Sequence, residues 1–292
     1  MKIALYGKEF REDFRENIRE MFEQFSNSNT QIYIHERFLA VLEYEQLDDF
    51  AFSGNFNDNT GLPQGVDVLI SMGGDGTFLN TLNLVKDSQV PILGINTGRL
   101  GFLANISKEE LKDSIGQLLR GEFSTETRHL ISLNSTRGPL DPFNTALNEI
   151  TIIKKGVPMI SIETHLNGEY LNSYWADGLI ISTPTGSTAY SMAVGGPIML
   201  PGSRNFIISP VSPHNLTVRP IVVPDDMEIR LQIHSRSDQF MVAMDSRSYT
   251  VDTNTELIIS KADYGIQMVK FPVNNFYNTL RNKLMWGMDK RN

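Results

Sequence analysis

The segments "VDVLISM", "TFLNTLNLVKD" and "VPILGINTG", residues 66 to 98, constrain the fold most. The first and third are unbroken apolar runs of strand length, and the second has helical spacing. Strands apolar on both sides belong to parallel sheets covered by helices on both faces. Upstream, "KIALYG" followed by the amphipathic "REDFRENIREMFEQF" gives the same strand-then-helix pair, and "QIYIHERF" with "AVLEYEQL" repeats it. Downstream, "SKEELKDSIGQLLRGE" reads as a further helix, with Ser107 as N-cap and Glu110 three residues on. Between these periodic segments, residues 47–66 carry turn formers and acidic residues, and a long loop, mobile without ligand, is expected there.

From about residue 123 the pattern changes to short runs rich in Thr, Ile, Val and Tyr, several alternating with period two, and "HLNGEY" offers an Asn-Gly hairpin turn. The last stretch, "NNFYNTLRNKLMWGMDKRN", returns to helical spacing, with Phe276, Leu280, Leu284 and Trp286 on one apolar side. The 292 residues suit two domains. The expected division is an α/β domain, residues 1–122 with 270–292, and a mostly β domain, residues 123–269, the final helix returning to cover the first.

A net charge of -8 without a long basic run argues against a nucleic-acid partner. With no cysteine, thiolate catalysis and Cys-ligated metals are excluded. No apolar run approaches the ~20 residues of a membrane span, and the polar start is not a signal peptide, so a cytoplasmic location without membrane contact is expected.

"GGDGT" stands at the carboxyl end of a predicted parallel strand and opens a helix, where α/β sheets bind ligands and the helix dipole favours anions. Gly73, Gly74 and Gly76 with Thr77 form the expected phosphate cradle, leaving Asp75 free for chemistry; a purely structural Gly-Asp turn is the competing reading. The spacing fits neither a Walker loop nor the dinucleotide fingerprint. "NTGRLGFL" puts a second glycine turn after the next strand, with Leu100 and Phe102 either in the core or at the ligand. Asn148 and Glu149 stand side by side and reach one ligand only near a strand end, where a ribose diol suits an amide oxygen and a carboxylate. In "WADGLIISTPTGSTAYSMAVGGPI" small residues permit close approach of a flat base, with Tyr190 as a stacking face. Ser187 lacks a nucleophile elbow and a neighbouring histidine, and His214 reads as a turn residue. No protein-only metal site is expected.

Together "GGDGTFL", "NTGRLGFL", "NE", "DGLIISTPTGSTAYSMAVGGP", "ISPVSPHNLTVRPIVVP" and "LRNKLMWG" occur in the order and spacing of bacterial NAD kinases, which the chain resembles from residue 67 onward; residues 1–66 match only in pattern. The resemblance implies transfer of the terminal phosphoryl group of ATP to the adenosine 2′-hydroxyl of NAD. It implies a Rossmann-like α/β domain, a β-sandwich-like domain, Mg²⁺ arriving with ATP, and a homodimer or homotetramer. It assigns catalysis to Asp75, and NAD binding to Gly74, Asp75, Gly76, Phe102, Asn148, Glu149, Asp177, Thr188, Ala189, Tyr190 and Asp245. At the last of these many members have Asp-Gly where this chain has Asp245 and Ser246. Whether Asp75 acts as base or as metal ligand stays open at this point. A lipid kinase of the same superfamily and a non-catalytic NADP(H) sensor are the competing readings.

Overall fold

The computed structural model describes residues 1–98, 101–272 and 275–287. The chain divides into two compact units, residues 1–127 with 266–292 and residues 128–265.

The first unit opens with β1 (Lys2–Gly7), α1 (Arg15–Asn27), β2 (Gln31–His35), α2 (Glu36–Tyr44) and β3 (Gly54–Phe56). There follow β4 (Val68–Met72), α3 (Asp75–Val85), β5 (Ile92–Ile95) and α4 (Leu111–Leu119). The strands are parallel, in the order β3-β2-β1-β4-β5. All five residues of β4 are buried, as its unbroken apolar run requires. One core joins Leu5, Ile70 and Met72 of the sheet to Phe22 of α1, Phe38 of α2 and Ile115 of α4. The strand order reverses between β1 and β4, and at such a reversal the carboxyl ends of the strands leave a crevice.

Two local expectations are corrected here. Residues 47–66 do not form one long loop: Leu47 is buried, Phe50 stacks on Phe22, Phe52 meets the same ring edge-on, and Phe56, 2% exposed, enters the sheet in β3. The aromatics of "FAFSGNF" hold the segment down, a pattern hidden among its turn formers. The amide of Ser107 does donate to the Glu110 carboxylate at 2.9 Å, yet α4 begins only at Leu111.

In the second unit β6 (Ser124–Ser135) carries the chain in, followed by β7 (Thr145–Ala146), β8 (Glu149–Lys154), β9 (Ile160–Leu166), β10 (Glu169–Ala176) and β11 (Gly178–Ser182). After the one-turn α5 (Tyr190–Ala193) come β12 (Asn205–Val211), β13 (Ile221–Pro224), β14 (Ile229–His234), β15 (Gln239–Met244), β16 (Arg247–Asp252) and β17 (Leu257–Lys270). An antiparallel sheet in the order β13-β12-β11-β8-β15-β16 faces strands β10-β9-β14-β17 across a shared apolar core containing Ile152, Ile181 and Val242 from one side and Ile162, Leu231 and Ile259 from the other. Asn167 and Gly168, both at positive φ, make the expected β9–β10 hairpin turn.

Met268 of β17 pairs in parallel with Ile92 of β5, and α6 (Phe276–Leu284) follows in the first unit. Asn275 caps α6 through its side chain, Leu280 is 7% exposed, and Phe276 lies 6.1 Å from the Phe102 ring. Trp286 is 51% exposed and does not join that face, because α6 stops at Leu284 and the left-handed Met285 breaks its phase. No helix among the described residues is long and apolar enough to cross a membrane.

Because Phe56 ties β3 to the core, Phe56→Ala should lower the unfolding free energy by about 3–5 kcal/mol. Urea denaturation measures this; a loss below about 1 kcal/mol would show that the segment is held by its turns alone.

Candidate functional site

A cleft of about 740 Å³ opens in the first unit, lined by Gly7 at the end of β1, Lys8, Glu9 and Arg11 after it, Arg37 of α2, and Gly73 and Gly74 after β4. It stands at the strand-order reversal. Three cationic side chains against the one carboxylate of Glu9, together with the open first turn of α3, border it, a setting that on balance suits phosphate groups. Arg37 is fixed by Asp58 at 2.9 Å, which also lies 3.4 Å from Nε2 of the buried His35. A methyl group at Gly74, Gly76 or Gly98 would meet no protein atom within 4 Å, so these positions leave room for a ligand beside the main chain.

Asp75 is the first residue of α3, with Gly74 as N-cap. Its carboxylate is not free, as the sequence led us to expect, but engaged by the turn that follows β5. Oδ2 accepts the amide of Phe102 at 2.9 Å, and Oδ1 accepts those of Leu103 and Ala104, both at 3.0 Å. Three charge-assisted bonds leave about one of the carboxylate's roughly four lone-pair positions open, on Oδ2. Nζ of Lys283 in α6 approaches that atom at 3.7 Å and lies 4.5 Å from the centre of the Phe102 ring. The turn must be glycine at its start, since a Cβ on Gly101 would fall 1.9 Å from Oδ1 of Asp75. Gly101 and Lys283 were not singled out from the sequence, although both lie in quoted motifs; their significance is their spacing to Asp75, which is invisible in one dimension. Leu100 lies outside the described residues.

The second unit gathers a separate group. Asp245 occupies the two-residue turn between β15 and β16 at φ 51°, and its carboxylate reaches back to the amides of Leu147 and Asn148, each at 2.8 Å, and Glu149 at 3.3 Å. It therefore clamps the entry to β8, with burial pushing its pKa up. Gly186 lies on the backbone of Asn148, where a Cβ would come within 2.1 Å of the carbonyl oxygen. The hydroxyl of Thr183 donates to the Leu147 carbonyl at 2.6 Å. The loop bearing Thr188, Ala189 and Tyr190 is thereby docked onto Asn148 and Glu149, and the ring of Tyr190 is left exposed. Glu149 is 9% exposed, and among the described residues its Oε2 has no hydrogen-bond partner. Burial, then the charge of Asp245, raise its pKa to about 8, opposed by the Tyr190 amide.

Asp177 is not part of this group. β8 and β11 run antiparallel, Ser182 opposite Glu149 and Gly178 opposite Ile153, so Asp177 stands at the other end, paired with Lys154 at 2.5 Å. The Ser187 hydroxyl is buried and exchanges hydrogen bonds with the backbone of Met199, which leaves it no nucleophilic role. Among the described residues no three His, Asp or Glu side chains converge on a metal position.

The ATP-NAD kinase N-terminal domain matches residues 11–123 and the ATP-NAD kinase C-terminal domain residues 147–271. Proteins named NAD kinase from Flavobacterium johnsoniae and Cytophaga hutchinsonii are 46% and 42% identical, each over 100% of both chains. Among solved structures, yeast NADH kinase complexed with NADH superposes with a TM-score of 0.83 at 21% identity, over 99% of this chain and 89% of that one. An NAD kinase from Archaeoglobus fulgidus in complex with ATP gives 0.73 at 25% identity, over 98% and 99%.

Two outcomes are expected from this geometry. Gly101→Ala should lose about 1–3 kcal/mol in urea denaturation, while Gly98→Ala stays within about 0.5 kcal/mol; equal effects would contradict the close approach of Asp75. Glu149 in the folded protein keeps a proton that an ordinary glutamic acid, at 4.5, gives up. Its contribution to stability is therefore full below pH 4.5 and falls as pH rises toward 8. Glu149→Gln should flatten that decline, whose slope is at most about 1.4 kcal/mol per pH unit; parallel stability–pH curves for the two proteins would show that Glu149 titrates normally.

Proposed function

Since the chain belongs to the ATP-NAD kinase family and is an ATP-dependent NAD kinase, we propose that it makes NADP with Oδ2 of Asp75 as acceptor of the 2′-hydroxyl proton. The observation carrying this reading is the carboxylate itself. Three amides fix its plane and leave a single lone-pair direction, on the residue that follows Gly74 of the cleft lining at the switch point of the sheet. A general base has to be held in one orientation, within hydrogen-bond reach of the proton it takes. In the transfer, the bond from the 2′-oxygen to the γ-phosphorus forms as the bond from that phosphorus to the β,γ-bridging oxygen breaks. The hydroxyl proton passes to Asp75, and ADP leaves.

The cleft residues Lys8, Arg11 and Arg37, with Gly73, Gly74, Gly76 and Thr77, are assigned to the phosphates of ATP. The amides of the first turn of α3 face charge that the protein has no need to reorganise around. Phe102, Asn148, Glu149, Thr188, Ala189 and Tyr190 are assigned to NAD together with Gly74, Asp75 and Gly76. Glu149 and Asn148 suit a ribose diol, and the exposed Tyr190 ring a base. For Asp245 the clamp on residues 147–149 supports an indirect part, fixing Asn148 and Glu149. For Asp177 the pairing with Lys154 gives no support for contact with the same NAD-binding group.

The described residues do not fit a protein-only cage for Mg²⁺, because no three His, Asp or Glu side chains converge among them and three amides already use the Asp75 carboxylate. Bound as MgATP, the ion would neutralise the triphosphate. The family resemblance also supports work in the cytoplasm as a homodimer or homotetramer. Full-length likeness to proteins named NAD kinase favours neither a lipid kinase nor a non-catalytic sensor.

Asp75→Asn keeps the size of the side chain and removes its basicity. With NAD, MgATP and an NADP-specific dehydrogenase as reporter, kcat should fall by about 10²-fold or more, while calorimetry shows NADP still bound. A variant that folds and turns over like the parent would remove Asp75 from the mechanism.

A further inference from the structure

Lys283 is the one charged side chain in contact with Asp75 among the described residues, and phosphoryl transfer as written above gives it no task. Its ammonium lies 3.7 Å from Oδ2 of Asp75 and 4.5 Å from the centre of the Phe102 ring, with the side chain 32% exposed. Two contacts place it there. Asn275 caps α6 by accepting the amide of Asn278 at 2.9 Å, and Phe276 of the same helix lies against Phe102, whose own amide is bonded to Asp75. The helix and the turn that holds the carboxylate are thus fastened to one another, with Lys283 between them. Cation–ring contact adds to the hold without consuming the ammonium's hydrogen-bond donors.

We propose that Lys283 follows the negative charge through the reaction, paired with the Asp75 carboxylate before transfer and with the 2′-phosphate of NADP after it. The inference rests on the reading of Asp75 as proton acceptor. Before transfer, Oδ2 carries charge and the 2′-hydroxyl is neutral. When Oδ2 takes the hydroxyl proton, Asp75 becomes a neutral acid and Lys283 loses its counter-ion. In the same event a phosphate appears on the oxygen that lay within about 3 Å of Oδ2. The flexible four-carbon stem of a lysine lets the ammonium move from one acceptor to the other by rotation alone. Proton and phosphorus balance as in the reaction given above, and no further reactant is needed. Lys283 so placed distinguishes NADP from NAD, because only NADP carries the group it meets after transfer. It also opposes the repulsion between a product phosphate and a re-ionised Asp75, which gives up its proton to solvent.

The test compares Lys283→Gln and Lys283→Arg with the parent, using calorimetric titration with NAD and with NADP, and steady-state turnover of NAD with MgATP. Lys283→Gln should weaken NADP about tenfold and leave NAD within about twofold, the difference being one charge-assisted contact. It should lower kcat about tenfold with KM for NAD unchanged, at an unaltered melting temperature. Lys283→Arg keeps the charge and should restore NADP affinity and most of kcat. Loss of NAD and NADP affinity in equal proportion would assign Lys283 to the fold of α6 and overturn the proposal, as would a Gln variant indistinguishable from the parent. Failure of the parent to phosphorylate NAD would instead overturn the functional reading on which the proposal rests.

Discussion

The arrangement around the cleft depends on one interaction, a carboxylate gathering consecutive backbone amides. Asp75 takes those of residues 102, 103 and 104, and so joins the first turn of α3 to the loop after β5. Amides in a tight turn that faces no strand have no intrinsic partner, and leaving them buried and unbonded costs about 1–3 kcal/mol each. An ionised acceptor satisfies three at once and is itself immobilised. A single aspartate among glycines follows from these two demands. Gly74 and Gly76 leave space for a ligand on one side, and Gly101 lets the carboxylate come close on the other.

The second unit uses the same device at Asp245, which gathers the amides of residues 147, 148 and 149. There the carboxylate orders the two residues assigned to the ribose. The consequence for Glu149 is electrostatic: burial first, then the charge of Asp245 beside it, makes its proton hard to remove. A protonated Glu149 is a donor as well as an acceptor, which changes what it offers a ligand hydroxyl. A left-handed aspartate serves at the turn because its short polar side chain tolerates that conformation.

Much of this was legible in the sequence. The continuous apolar runs marked a parallel sheet, period-two segments marked the β-rich unit, and Asn167-Gly168 marked a hairpin, because each depends on local periodicity or backbone preference. What escaped depends on contacts distant along the chain. The anchoring of Phe50, Phe52 and Phe56 was masked by neighbouring turn residues, and Trp286 was assigned to a helical face that α6 ends too early to form. Lys283 reaches Asp75 from the far end of the chain, and no spacing rule relates the two. Asp177 lies in the same quoted run as Tyr190, but the length of β11, antiparallel to β8, separates their ends.

Amide hydrogen exchange at Phe102, Leu103 and Ala104 tests the carboxylate clamp most directly. In the parent protein these amides should be protected, and in Asp75→Ala they should exchange at least about tenfold faster, as loss of a hydrogen bond worth about 1–3 kcal/mol implies, while the amides of β4 and β5 keep their rates. Equal exchange at residues 102–104 in the two proteins would contradict the account, because the turn would then be ordered without Asp75.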